Sequence, residues 1–173
     1  RGVGWIQPTS YFFNTLWSKG SDQDIRNSKF NIIRDLQIDN PASPAFGQWM
    51  VKDGYYKQVD SIRQWFPLIT KFSRVGNFPE ELYQVDATGN PLMTPFGEHL
   101  LINSANSNYK DEYMFRLAET YLLRAEAYIR KGDLANAAAD INTIRARANA
   151  NPIQPSDVDI DFLLDERMRE LYG

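Results

Sequence analysis

The sequence predicts a mainly α-helical chain: a helical hairpin scaffold packed with long irregular loops and one small β-hairpin. Three observations carry this. Apolar residues recur at helical spacing from residue 113 to residue 148 and are interrupted once, at Gly132-Asp133. Ten Gly and nine Pro fall mostly before residue 100, in a chain that is 13% aromatic, so large side chains are displayed on turn-rich backbone. Asp53-Gly54 stands between Gln48–Lys52 and Tyr55–Lys57, and Asp-Gly supplies the positive backbone angles that a tight hairpin turn demands.

The helical pair is the clearest element. In the first helix Leu117, Tyr121, Ala125 and Tyr128 share one face. Gly132 suits the end of that helix, because glycine adopts a left-handed conformation without a Cβ clash. Asp133 is placed to cap the next helix, its carboxylate meeting unpaired N–H groups. The second helix carries Leu134, Ala137, Ala138, Ile141, Ile144 and Ala148 on one face, and Ala125 and Ala137 permit close approach. The expected buried set is Leu117, Tyr121, Ala125, Tyr128, Ala137, Ile141 and Ile144. This is the pattern of a tetratricopeptide-type unit, and one such unit cannot bury its own apolar face.

The remaining elements are shorter. Ser10–Trp17 reads as a short helix, and Ile25–Leu36 fits a strand or a helix. Residues 63–72 read as an extended segment, and residues 73–108 as mainly irregular. Pro152 and Pro155 break the chain before a last helix that starts near Ser156 to Asp159. The organisation expected is a single region, 1–173: a loop- and aromatic-rich part at 1–111, the helix pair at 112–149, and a loop with the final helix at 150–173.

Composition excludes several function classes. The net charge of −3 gives no broad footprint for nucleic acid or an anionic membrane. The absence of cysteine excludes a disulfide framework and a thiol nucleophile. No apolar run is long enough to span a bilayer. His99 is the single histidine and has no serine elbow beside it. Nothing pairs any two of Asp22, Asp24, Glu80, Glu81 and Glu98 as a glycosidase requires; Asp24 reads as a partner of Arg26 or of a backbone turn. Asp157-x-Asp159-x-Asp161 opens like a calcium loop, but Phe162 and Met168 stand where that loop needs Gly and Glu. These acids read instead as helix N-terminal residues. No catalytic residue, metal ligand or cofactor is assigned. Arg116 and Glu119, beside the apolar stripe, are expected to lock the hairpin to its neighbours.

Three ordered motifs carry a family resemblance. Arg116-Leu-Ala-Glu119, Ala125-Glu-Ala127, Gly132 and Ile141-Asn-x-Ile-Arg-x-Arg-Ala148 form the first. Leu163-Leu-x-Glu166-Arg167-Met-Arg169-Glu170-Leu171 follows downstream. Gly2-x-Gly4-Trp5-x-x-Pro8-Thr9 with Asp24-Ile-Arg26 lies upstream. Together they resemble the SusD/RagB-like outer-membrane lipoproteins over residues 2–172, and the chain looks like the C-terminal part of one. The resemblance implies a non-catalytic, lipid-anchored, surface-exposed protein of the outer membrane. It would capture oligo- or polysaccharide and deliver it to a SusC-like TonB-dependent transporter. The lipid-modified cysteine would lie upstream of residue 1. A tetratricopeptide-type protein-interaction adaptor is the alternative.

The family's ligand residues come from variable loops, so the candidate ligand-binding residues rest on aromatic placement. Trp5 follows Gly2-x-Gly4, where missing side chains let a ligand approach the backbone. Trp49, Tyr55 and Tyr56 flank the Asp53-Gly54 turn. An aromatic face matches the apolar C–H face of a pyranose, and neighbouring Asn, Gln and Asp side chains reach its hydroxyls.

Overall fold

The computed structural model describes residues 8–38, 40–54, 67–70, 79–93, 99–105 and 114–172. The described residues fall into two compact units: 8–34, 67–70 and 114–172 in the first, and 35–38, 40–54, 79–93 and 99–105 in the second.

The first unit is built on helix α1, Leu117–Arg130, and helix α2, Leu134–Arg147. They meet at Lys131–Asp133, as the sequence predicts. Gly132 closes α1 at φ +77°. The Asp133 carboxylate accepts from the Asn136 amide at 3.2 Å and so satisfies one of the free donors at the start of α2. A turn enclosing Pro155–Asp157 leads to helix α3, Ile160–Leu171, which Asp159 caps by accepting from Phe162 N at 2.7 Å.

The core of this scaffold is Leu122, Ala125, Ala137, Ala138, Ile141, Ile144, Val158 and Leu163. Here the structure corrects one expectation. Leu117 is 73% exposed, because it is the first residue of α1 and precedes the packed turns. The covered line on α1 runs through Leu122 and Ala125, with Ala118 and Ile129 packed against the same core. That line is about one position, or 100° of helix, round from the expected one. Tyr121 and Tyr128 therefore sit on its border, half-buried.

A second cluster collects the N-terminal part of this unit. Tyr11–Leu16 forms a short π-helix that buries Phe12 and Leu16. They pack with Trp17 and Ile32, and Tyr172 closes the cluster. Phe12 meets the rings of Phe13, Trp17 and Tyr172 edge-on, with centroids 5.2, 5.9 and 4.9 Å apart. Edge-to-face contact aligns the positive rim of one ring with the negative face of another. Strand β1, Ile32–Ile33, pairs antiparallel with strand β2, Leu68–Ile69, in the register Ile32 with Ile69. The segment that fitted strand or helix thus contains both: a 3-10 turn at Ile25–Asn27, then β1.

The two clusters are joined by buried charge. Arg26, Arg145 and Arg169 face Asp24, Glu166 and Glu170, and all six are buried. Arg26 donates to both oxygens of Asp24, at 2.9 and 2.7 Å. Its Nη1 stands 2.8 Å from Glu166 and 3.2 Å from Glu170. Arg145 and Arg169 both reach Glu166 Oε2, at 2.7 and 3.2 Å. Burial works against the Arg26 charge, but the Asp24 hydrogen bonds and the Glu166 carboxylate override it and raise its pKa. Arg169 donates to the Leu16 carbonyl at 3.0 Å, and the Tyr172 hydroxyl to the Arg26 carbonyl at 2.6 Å. Arg116 donates to the Leu171 carbonyl, and Glu119 pairs with Arg167 at 3.9 Å, so both residues tie α1 to α3 as expected.

The second unit has little apolar interior; Ala45 is the one fully buried apolar side chain among its described residues. Side chains bonded to backbone take over. The expected β-hairpin is not seen in Gln48–Gly54. Trp49 bridges antiparallel to Gln37, and Met50–Gly54 is turn, with Gly54 at φ +71°. Tyr55–Lys57, its expected second strand, lie outside the described residues. Further on, Gln84 N donates to Leu100 O, Leu92 N to Gln84 O and Leu100 N to Leu92 O. These bonds close three short runs into a ring, a regular device inside a stretch that reads as irregular in sequence. Asp86 caps the first turn of it, accepting from Thr88 and Asn90.

Three outcomes follow from these contacts. Ala125 is wholly buried against α2, so Ala125→Trp overpacks the hairpin and lowers stability by about 1–3 kcal/mol in urea denaturation. Glu166→Ala takes from buried Arg145 and Arg169 their carboxylate partner, and from Arg26 one of three, and costs about 3–5 kcal/mol in the same assay. The control Arg130→Ala breaks the exposed i,i+4 pair with Glu126 and costs about 0.5 kcal/mol or less. The Thr88 hydroxyl, with the Asn90 and Thr88 amides, holds the Asp86 carboxyl down at about 2. Its turn therefore contributes stability in full above the usual aspartate range near 3.8 and loses it as pH falls through about 2. Carboxyl chemical shifts followed by NMR titration give that midpoint, and in Asp86→Asn the Asn90 amide exchanges faster above pH 4.

Candidate functional site

Of the four aromatic residues expected to meet ligand, Trp49 is described; Trp5, Tyr55 and Tyr56 lie outside the described residues. Trp49 stands in the second unit with its side chain 38% exposed. Ile38 N donates to Gln48 O, and Met50 N to Leu36 O, both at 2.9 Å. Those bonds bracket Gln37 and Trp49 as a non-hydrogen-bonded antiparallel pair, which places their side chains together on one face. The Gln37 amide donates from Nε2 to the Gly47 carbonyl at 2.6 Å, which fixes its plane and leaves Oε1 as an acceptor.

The loop after Trp49 is held by carboxylates. Trp49 N donates to Asp53 Oδ2 at 2.7 Å, and Asp53 N returns a bond to Trp49 O at 3.3 Å. Asp35 accepts from Leu36 N, Val51 N and Lys52 N, each at 2.9 Å. The result is a half-exposed indole beside an oriented amide, on backbone pinned from both sides. Such an arrangement can stack an apolar ring face and accept a hydrogen bond at its edge.

A second concavity lies in the first unit. It has a volume of about 470 Å³ and is lined by the start of α3 together with Tyr11 and Lys19. Tyr11 donates to Asp165 at 2.6 Å, and Lys19 donates to the Tyr11 oxygen at 3.0 Å. That hydroxyl, with Asp165 beyond it, raises the Lys19 pKa. Asp157 and Asp159 are engaged by the backbone amides of Gln154 and Phe162. The run that opens like a calcium loop thus serves the turn and the helix start. Among the described residues no three of His, Asp and Glu converge in a metal-ligating arrangement.

Two of the other titratable candidates, Asp24 and His99, have local explanations, and Glu98 lies outside the described residues. Asp24 is buried on Arg26 and also accepts from the Arg26 amide. His99 bridges to Met93, and its ring lies 4.6 Å from that of Tyr83. Sequence reasoning missed Gln37 and Asp35. Their partners lie ten to seventeen residues away, through a bridge that no local pattern announces. It also missed Glu166 and Glu170 as buried groups, although they follow Leu163 at helical spacing, which is a readable signal.

Comparison with known proteins fits this architecture. The model of the SusD family matches residues 44–173. The starch-binding protein SusD of Bacteroides thetaiotaomicron is 48% identical over 59 residues, a stretch covering 34% of this chain and 10% of that relative. Comparison with solved structures gives no match. The family model spans the scaffold helices, the Glu166–Glu170 charge motif and the Trp49 loop, and the chain belongs to the SusD family.

Proposed function

We propose that this chain is the C-terminal part of a non-catalytic, glycan-binding lipoprotein on the outer-membrane surface. It captures oligo- or polysaccharide and delivers it to a SusC-like TonB-dependent transporter. Membership of the SusD family and the likeness to a starch-binding protein support the glycan. The lipid anchor and the transporter are inferred from the family resemblance.

The observation that carries the binding site is the Trp49–Gln37 pair. The indole offers a flat apolar face to the C–H side of a sugar ring, and Gln37 Oε1 accepts from an equatorial hydroxyl. Trp5, Tyr55 and Tyr56, outside the described residues, remain candidate ligand contacts. The aromatics of the helical hairpin stand apart from it, because Tyr121 and Tyr128 pack against the scaffold core. Two or three stacked rings at about 0.5–1.5 kcal/mol each, with a few hydrogen bonds of about 1 kcal/mol, give roughly millimolar to micromolar affinity. That range suits a protein that must release its ligand to a transporter.

Calorimetric titration of the chain with maltoheptaose, cellohexaose and xylohexaose tests this reading. Binding of one oligosaccharide class is expected, with Trp49→Ala weakening it about tenfold and no new reducing ends appearing on prolonged incubation. Unchanged affinity in alanine variants of Trp5, Trp49, Tyr55 and Tyr56 removes the site. Hydrolysis abolished by a single Asp or Glu substitution removes the non-catalytic assignment.

A further inference from the structure

We infer that Asp35 is a positioning residue for Trp49: its carboxylate holds the loop that presents the indole. The inference rests on the reading of Trp49 as a ligand contact and adds a residue that does not itself touch ligand.

The geometry is specific. One half-buried carboxylate accepts three backbone amides: that of Leu36 next to it, and those of Val51 and Lys52, sixteen and seventeen residues further on. Oδ1 takes Leu36 N and Val51 N, and Oδ2 takes Lys52 N, so both oxygens are used. A carboxylate accepting from N–H groups forms charge-assisted bonds, stronger than neutral ones. Leu36 precedes Gln37, and Val51 follows Trp49 by two residues. The clamp therefore sits one residue from the bridge on the Gln37 side and two on the Trp49 side.

Apolar packing gives the loop little support. The second unit has Ala45 as its one buried apolar side chain among the described residues, and Leu36, Trp49 and Val51 are each more than a third exposed. Packing cannot hold the loop. Asp53 fixes Trp49 to its own turn but reaches no residue of the 35–38 segment among its described bonds. The backbone bonds of the bridge and the Gln37–Gly47 bond join the two segments as far as Met50; Asp35 extends the connection to Val51 and Lys52. Asn at this position keeps the shape but replaces one accepting oxygen with an NH₂ group that opposes an amide hydrogen. A structural carboxylate replaced this way frees the loop while leaving the fold of the unit in place.

The test uses the full chain labelled with 5-fluorotryptophan. The Trp49 fluorine line is assigned by its loss in Trp49→Phe. In Asp35→Asn this line is expected to shift and broaden, while the Trp17 line and the Asn90 amide resonance stay in place. Maltoheptaose, or whichever oligosaccharide of the panel binds, is expected to bind about five- to tenfold more weakly. In a Trp49→Ala background Asp35→Asn is expected to cause no further loss, because its effect passes through the indole. Asp35→Glu, whose longer arm keeps the charge but misplaces the oxygens, gives a smaller effect in the same direction and serves if the Asn variant unfolds. An unchanged Trp49 line in both variants overturns the inference, and so does an equal further loss in the Trp49→Ala background. If Trp49→Ala alone leaves affinity intact, the ligand reading of Trp49 fails, and the fluorine line still decides whether Asp35 orders the loop.

Discussion

The first unit depends on a set of opposite charges kept out of water. Three guanidiniums and three carboxylates are buried together, and each has an opposite partner within hydrogen-bonding or ion-pair distance. Removing such ions from water costs several kcal/mol each, and geometry of this quality is needed to offset it. The return is in placement. Glu166 is the shared acceptor for α2, α3 and the Asp24–Arg26 turn, so moving any of these elements exposes an unpaired charge. Apolar packing of Ala and Ile tolerates small slides; a shared carboxylate does not. The same logic explains why Tyr172 stands where it does. Its ring completes the Phe12 cluster and its hydroxyl reaches the Arg26 carbonyl, which links the two clusters through one side chain.

The second unit is organised differently. Its described loops are kept in shape by Asp35, Asp53 and Asp86 accepting from backbone amides, and by Gln37 and Gln84 donating to carbonyls. Backbone groups are obligatory hydrogen-bonding partners, so a side chain that satisfies two or three at once can substitute for a core. This economy leaves Leu36, Phe46, Trp49 and Val51 partly open to solvent. The ring of backbone bonds through Gln84, Leu92 and Leu100 has a second effect. Each run is bonded to both others, so these bonds leave no run as a free outer strand for another chain to pair with.

The helical half was legible in the sequence because its signals are local. Gly132, Asp133 and the Ala-rich stripe specify turn, cap and close approach within a few residues of one another. On α1 the stripe of Tyr121, Ala125 and Tyr128 is right at Ala125, whereas Leu122 takes the other buried place and the two tyrosines lie on its border. The aromatic site was legible only in part. Trp49 can be chosen by its neighbouring Asp-Gly, but its partner Gln37 comes through an antiparallel bridge, and residues 50–54 are turn where the dipeptide suggests a strand leading into a hairpin. The buried charges were half-legible: Asp24 with Arg26 is a local pair, whereas Glu166 and Glu170 are 140 and 144 residues from Arg26.

That separation bears on the order of events at the ribosome. Glu170 emerges 144 residues after Arg26. At about 5–20 residues per second, roughly 7–30 s pass between them. Throughout that interval the guanidinium lacks its Glu170 partner, and the Phe12 cluster lacks the Tyr172 ring that closes it. The hairpin of α1 and α2 meets no such delay, because its contacts are local. Synthesis thus proceeds with a finished helical platform and an open N-terminal flank, and a single helix made near the end of the stretch, α3, closes both at once.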